Sequence, residues 1–151
     1  MNNLFFDFDL FVVPERDQHT INAQGQGSKR LLVVFEPNDE PEELSRFLAK
    51  VLQAAKIDMN EDAYLLPLHV EEKLNLSAFC QDKDIRQVII FGLSPDNLGL
   101  HYNYKRYTPF VFRNRTYLIA DSLPAIYEER QAGGKRMSGA LWKALKEVFL
   151  N

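Results

Sequence analysis

Side chains able to do chemistry are few in this chain of 151 residues, and they are scattered. Carboxylates gather behind the apolar run RLLVVFE (residues 30–36), as Glu36, Asp39, Glu40, Glu42 and Glu43. If that run is a strand of an open α/β sheet, the acids stand beyond its carboxyl end, where such sheets bind ligands. By position these acids are the best candidates for acid–base chemistry. The same acids also read as a helix start. Asp39 as N-cap and Glu42 three residues on make an Asx version of the capping box. Pro41 suits a first turn, and carboxylates there complement the helix dipole.

Gly133-Gly134-Lys135 raises a phosphate question. A phosphate loop needs G-x-x-x-x-G-K-[ST] directly after a strand. Here Arg136 follows Lys135, and the helix- or loop-like AIYEERQA precedes the glycines. The phosphate loop fails on both counts. What remains is an anion held at a helix N-terminus beside Lys135 and Arg136, or a connection with solvated charges.

His19, His69 and His101 lie in separate segments and lack an i, i+4 partner, so no metal site is expected. Around His101, Tyr102, Tyr104 and Tyr107 interleave with Lys105 and Arg106. Such a segment can stack on and neutralise single-stranded nucleic acid, or form an amphipathic loop with its hydroxyls in water. Cys80 is the single cysteine, in the apolar context LSAFCQ, and reads as a core thiol. There is no G-x-S-x-G elbow for nucleophilic catalysis. Trp142 falls at the edge of an apolar helical stripe beside Ser138 and Lys146, the position of a core-boundary residue or of an interface anchor.

The elements that must position these residues follow from periodicity. RLLVVFE, AYLLPL (63–68) and RQVIIFGL (86–93) are short apolar runs of the kind buried in parallel sheets. Leu44, Phe47, Leu48, Val51, Leu52 and Ala55 recur at helical spacing, as do Met137, Ala140, Leu141, Ala144, Leu145, Val148 and Phe149 from about Lys135 onward. VEEKLNLSAF predicts a short helix between the second and third strands. FVFRNRTYLIA predicts strands over 110–113 and 116–120 with Asn114-Arg115 as the turn. Strands alternating with helices imply a three-layer α/β/α domain with a mostly parallel central sheet.

Ahead of it, residues 4–13 (LFFDFDLFVV) carry Phe5, Phe6, Phe8, Leu10 and Phe11, and a polar, Gly- and Gln-rich stretch follows. The organisation is an aromatic arm and linker over 1–28 and one α/β domain over 29–151. The arm either docks on a partner protein, ordering as it binds, or adds an edge strand to its own domain. A net charge of -3 argues against broad, charge-driven duplex binding. No apolar run reaches membrane-spanning length, and the N-terminus lacks a basic leader region, so a cytoplasmic protein is expected.

The order of elements resembles the uracil-DNA glycosylase superfamily and, within it, the non-catalytic psi-subunit family of bacterial DNA polymerase III. The most specific likeness is DSLPAIYEERQAGGKRMSGALWKAL, with its Ser-Leu-Pro-Ala segment and a closing helix of the Lys/Arg-x-x-x-x-Leu-Trp-x-x-Leu type. In active glycosylases the first loop carries a Gly-Gln-Asp-Pro-Tyr-like motif and the last a His-Pro-Ser-Pro-like motif. Here the first reads FEPNDEP, and the second reads Asp121-Ser122-Leu123-Pro124. An anion at Asp121 would repel the charge developing on a departing base.

The resemblance thus implies a non-enzymatic protein-interaction subunit with no cofactor, serving DNA replication in a clamp-loader assembly. Its expected partner-binding residues are Phe5, Phe6, Phe8, Leu10, Phe11 and Trp142. Two alternatives stay open: an enzyme acting on a nucleobase or nucleotide through Asp39 and Asp121, and a single-strand binder through Tyr102, Tyr104, Lys105, Arg106 and Tyr107.

Overall fold

The computed structural model describes residues 23–36, 41–68, 76–93 and 105–150. Within them lie strands β1 (Leu31–Phe35), β2 (Ala63–Pro67), β3 (Gln87–Phe91), β4 (Phe110–Phe112) and β5 (Arg115–Ala120). The helices are α1 (Pro41–Ala54), α2 (Leu76–Lys83), α3 (Leu123–Gln131) and α4 (Arg136–Phe149). The five strands form one sheet in the order β2-β1-β3-β5-β4. β1, β2, β3 and β5 are parallel, and β4 closes one edge as an antiparallel hairpin on β5.

β1 and β3 are continuous apolar runs because both faces of these inner strands are covered. Successive side chains point to opposite faces, and the core divides accordingly. Leu31, Val33, Ile89, Phe91, Leu118 and Ala120 pack with residues of α1, α3 and α4. Leu32, Val34, Val88, Ile90, Tyr117 and Ile119 pack with Phe79 and Cys80 of α2. The α1 stripe buries Leu44, Leu48 and Leu52, with Ala55 buried just beyond its end, and the α4 stripe buries Leu141, Ala144 and Leu145.

Three expectations shift. The short helix, described from Leu76 onward, runs past Phe79 to Lys83. Phe79 and Cys80 anchor it against the sheet, and residues 69–75 lie outside the described residues. The hairpin turn is Arg113-Asn114, both at positive φ, one residue earlier than Asn114-Arg115. That register pairs Phe110 with Tyr117, whose rings stack at 5.4 Å. Finally, the end of the stretch read as a linker is tied to the sheet edge. Gln24 exchanges backbone hydrogen bonds with Leu65, and the Gln26 and Ser28 N–H groups donate to the Asn60 and Glu61 carbonyls.

Gly139 stands exposed inside α4, and a Cβ built there meets nothing within 4 Å. Gly139→Ala is therefore expected to raise stability by about 0.5–1 kcal/mol through lower chain entropy and better helix propensity, read as a higher urea midpoint with unchanged slope.

Candidate functional site

Two places concentrate functional side chains. The first is the carboxyl end of the sheet. The chain leaves β1 toward β2 on one side, whereas β5 and β4 lie beyond β3 on the other, so the direction of winding reverses between β1 and β3. Open α/β sheets bind ligands at that reversal. Glu36 follows β1 and Gly92 follows β3 there. Asp39 and Glu40 lie outside the described residues, and Glu42 and Glu43 sit in the first turn of α1, where they complement its dipole.

Asp121 follows β5 at this end, with a side chain 17% exposed. Both of its carboxylate oxygens are engaged. Arg106 Nη1 donates to Oδ1 at 2.7 Å, and the Tyr107 hydroxyl donates to Oδ2 at 2.7 Å. The Asp121 backbone N–H in turn reaches the Tyr107 hydroxyl at 3.2 Å. Tyr107 sits at φ +63, a left-handed conformation costly for a residue with a Cβ. Its N–H is held by the Ile119 carbonyl at 2.8 Å. Burial pushes the Tyr107 phenol well above its ordinary value, and the hydrogen bond to Asp121 adds to that.

The arrangement is a latch that holds the segment before β4 across the end of β5. It gives Asp121 two donors rather than a substrate proton, and it commits Tyr107 to the core edge. Of the interleaved segment read as a strand-binding surface, Lys105 and Arg106 are exposed, and Tyr102 and Tyr104 lie outside the described residues. Asp121→Ala is expected to cost about 1–3 kcal/mol, because it strips the partner from a half-buried hydroxyl and removes a charge-assisted bond. Combined with Tyr107→Phe, the losses should be markedly less than additive in urea denaturation, since both act through one network.

The second place is the outer side of α1, α3 and α4, which enclose a groove of about 680 Å³. Phe47 and Val51 of α1 and Leu141 and Leu145 of α4 provide its apolar lining. Trp142, 37% exposed, stands on its rim with the Lys146 ammonium 5.7 Å from its ring centre. Arg46, Lys50 and Arg130 supply cations around it. α1 and α3 are joined at one end by the Tyr127 hydroxyl, which donates to Glu43 Oε1, and by an edge-to-face contact of Phe47 with Tyr127 at 5.3 Å. The sequence placed Trp142 correctly at a stripe edge. It did not reveal the groove, although Phe47 and Val51, lying beside the stripe that reaches the sheet, made the apolar face of α1 wider than a single contact needs.

Between the two, the Gly-Gly-Lys segment receives an anion of its own. The Glu129 carboxylate accepts from the Met137 N–H at 2.7 Å and lies 3.8 Å from Arg136 Nε, so it caps the first turn of α4. An internal carboxylate thus takes the place that an external anion could have held at Lys135-Arg136, as a helix N-terminus favours negative charge.

Compared with protein-family models and with curated proteins, the chain matches none. Among the described residues, no group of three or more His, Cys, Asp and Glu could hold a metal ion, and no helix is long and apolar enough to cross a membrane. The arm residues Phe5, Phe6, Phe8, Leu10 and Phe11 lie outside the described residues.

Proposed function

We propose that this chain is a non-enzymatic protein-interaction subunit, resembling the DNA polymerase III psi subunit on a three-layer, uracil-DNA glycosylase-like fold. It would contact replication partners through the aromatic arm and through the α4 face at Trp142. The observation that carries the interaction reading is Trp142 on the rim of an apolar groove. Exposed tryptophan beside a concave apolar surface is the usual composition of a binding hot spot. The Asp121 latch supports the non-enzymatic part of the reading, because the residue standing where a glycosylase-type His would act is already bonded on both oxygens.

Pull-down of cellular partners with the full chain, with a chain lacking residues 1–20, which spares the hydrogen bonds of Gln24, Gln26 and Ser28, and with Trp142→Ala tests it. Loss of a common partner from either variant is the expected result, together with an unfolding free energy for Trp142→Ala, from urea denaturation, within about 1 kcal/mol of the parent. Retention of every partner by both variants would remove the docking idea. Base release from uracil-containing single strands, abolished by Asp121→Asn, would replace it with the enzymatic reading.

A further inference from the structure

We propose that the groove between α1, α3 and α4 receives one amphipathic helix from a partner protein, with Leu- or Phe-type anchors on its apolar stripe and Asp or Glu along its flanks. This deepens the interaction reading above and rests on it. Shape gives the first argument. The α1 residues facing the groove run from Glu43 to Ala54 at spacings of three and four, a length of roughly 16 Å at 1.5 Å per residue. α4 presents Ser138, Leu141, Trp142 and Leu145 with the same spacing. Two such stripes flanking a channel about three turns long suit a third helix, whose anchors at i, i+3 or i+4, and i+7 enter between them.

Charge gives the second argument. The chain carries a net -3, yet Arg46, Lys50 and Arg130 gather around this apolar floor. Arg46 meets Glu42 only at 3.9 Å on an exposed surface, a pairing worth little, and Arg130 reaches the Ser138 hydroxyl at 3.5 Å. The one carboxylate of the lining, Glu43, accepts from Tyr127. An incoming helix with acidic flanks would meet cations from both α1 and α3, whereas a basic one would be repelled.

The rings argue against single-stranded nucleic acid as the occupant. Phe47 and Tyr127 turn edge to face on one another, and Lys146 lies over Trp142. Few open ring faces remain on which bases could stack.

Trp142 is the only tryptophan in the chain, so its fluorescence reports on this groove alone. The test titrates the full chain with two tryptophan-free synthetic helical peptides bearing identical Leu and Phe anchors, one flanked by Glu and one by Lys, and with an oligothymidylate. The Glu peptide should shift Trp142 emission to the blue with an affinity that falls as salt is raised. The Lys peptide should bind roughly tenfold more weakly or worse. The double variant Lys50→Glu, Arg130→Glu should reverse the order of the two peptides, which a folding defect would not do. Equal binding of both peptides, a silent Trp142 with both, or a response to the oligothymidylate alone would overturn the proposal. So would a Trp142 shift that grows with protein concentration in the absence of peptide, because the occupant would then be a second copy. A partner lost on Trp142→Ala, with the Glu peptide inert, would remove this helix chemistry and leave the interaction reading standing. A pull-down indifferent both to Trp142→Ala and to removal of the arm would remove the reading itself.

Discussion

Gly92→Val is expected to destabilise the chain by about 2–6 kcal/mol, a large share of the stability of a domain this size. Gly92 ends β3 at φ +75, and a Cβ built on it would lie 2.7 Å from Ser122 Cβ and 2.8 Å from Ser122 Cα. The second of these is backbone and cannot swing aside. Ser122 is the N-cap of α3, its hydroxyl accepting from the Ala125 N–H at 3.2 Å. The Gly92 N–H is itself bonded to the Ala120 carbonyl at 3.0 Å. A side chain at 92 must therefore part β3 from the residue that starts α3, or break the bond that aligns β3 with β5. Gly133 provides the control. It also has positive φ, at +91, but nothing lies within 4 Å of a built Cβ, so Gly133→Ala should cost only about 1–2 kcal/mol. Urea midpoints of the two variants compare crowding plus strain with strain alone. Equal losses would show that the contact with Ser122 yields.

That contact also marks the limit of what the sequence could disclose. β1 and β3 were legible because a strand covered on both faces leaves a continuous apolar run, and α4 was legible because its stripe repeats for four turns' worth of positions at helical spacing. The hairpin was legible in kind and misplaced by one residue. Turn preference favoured Asn114-Arg115, but stacking of Phe110 on Tyr117 fixes the register and puts an arginine at positive φ. Tertiary packing there outweighs local propensity. Among its described side chains α2 buries only Phe79 and Cys80, too few to define a period, so the spacing does not mark where it ends. The Asp121 latch joins residues fourteen and fifteen positions apart, and the α4 cap joins Glu129 to Met137 across a loop. Neither has a periodic signature. The groove needed the knowledge that α1, α3 and α4 share a face, which only the strand order supplies.

Alkaline pH should unfold this protein from within, through the α2 face. Burial pushes the Cys80 thiol up to about 12 from its ordinary 9.0, against a smaller opposing pull from Arg115. Burial likewise raises the Tyr117 phenol above 10.0, and the neighbouring Cys80 adds to that. The two lie in one apolar cluster. The Tyr117 hydroxyl is fully buried with no hydrogen-bond partner among the described residues. Below pH 9 the folded and unfolded chains both keep the thiol proton, and stability is independent of it. Between pH 9 and 12 the unfolded chain releases the proton while the folded chain holds it, so fewer protons are bound in the unfolded state and stability falls as pH rises. For Cys80 the loss grows to at most on the order of 4 kcal/mol by pH 12, and the Tyr117 contribution begins about one unit higher. Urea midpoints of the parent, Cys80→Ala and Tyr117→Phe at pH 7, 9, 10 and 11 separate the two. Cys80→Ala should cost about 1 kcal/mol or a little more at pH 7 for its small cavity, and its deficit should shrink as pH rises because the parent alone loses the thiol contribution. Tyr117→Phe should be neutral or slightly stabilising at pH 7, since it removes an unpaired buried hydroxyl, and should flatten the decline above pH 10. Curves that stay parallel to the parent throughout would show that both groups reach solvent before they ionise, and would place the alkaline sensitivity elsewhere in the fold.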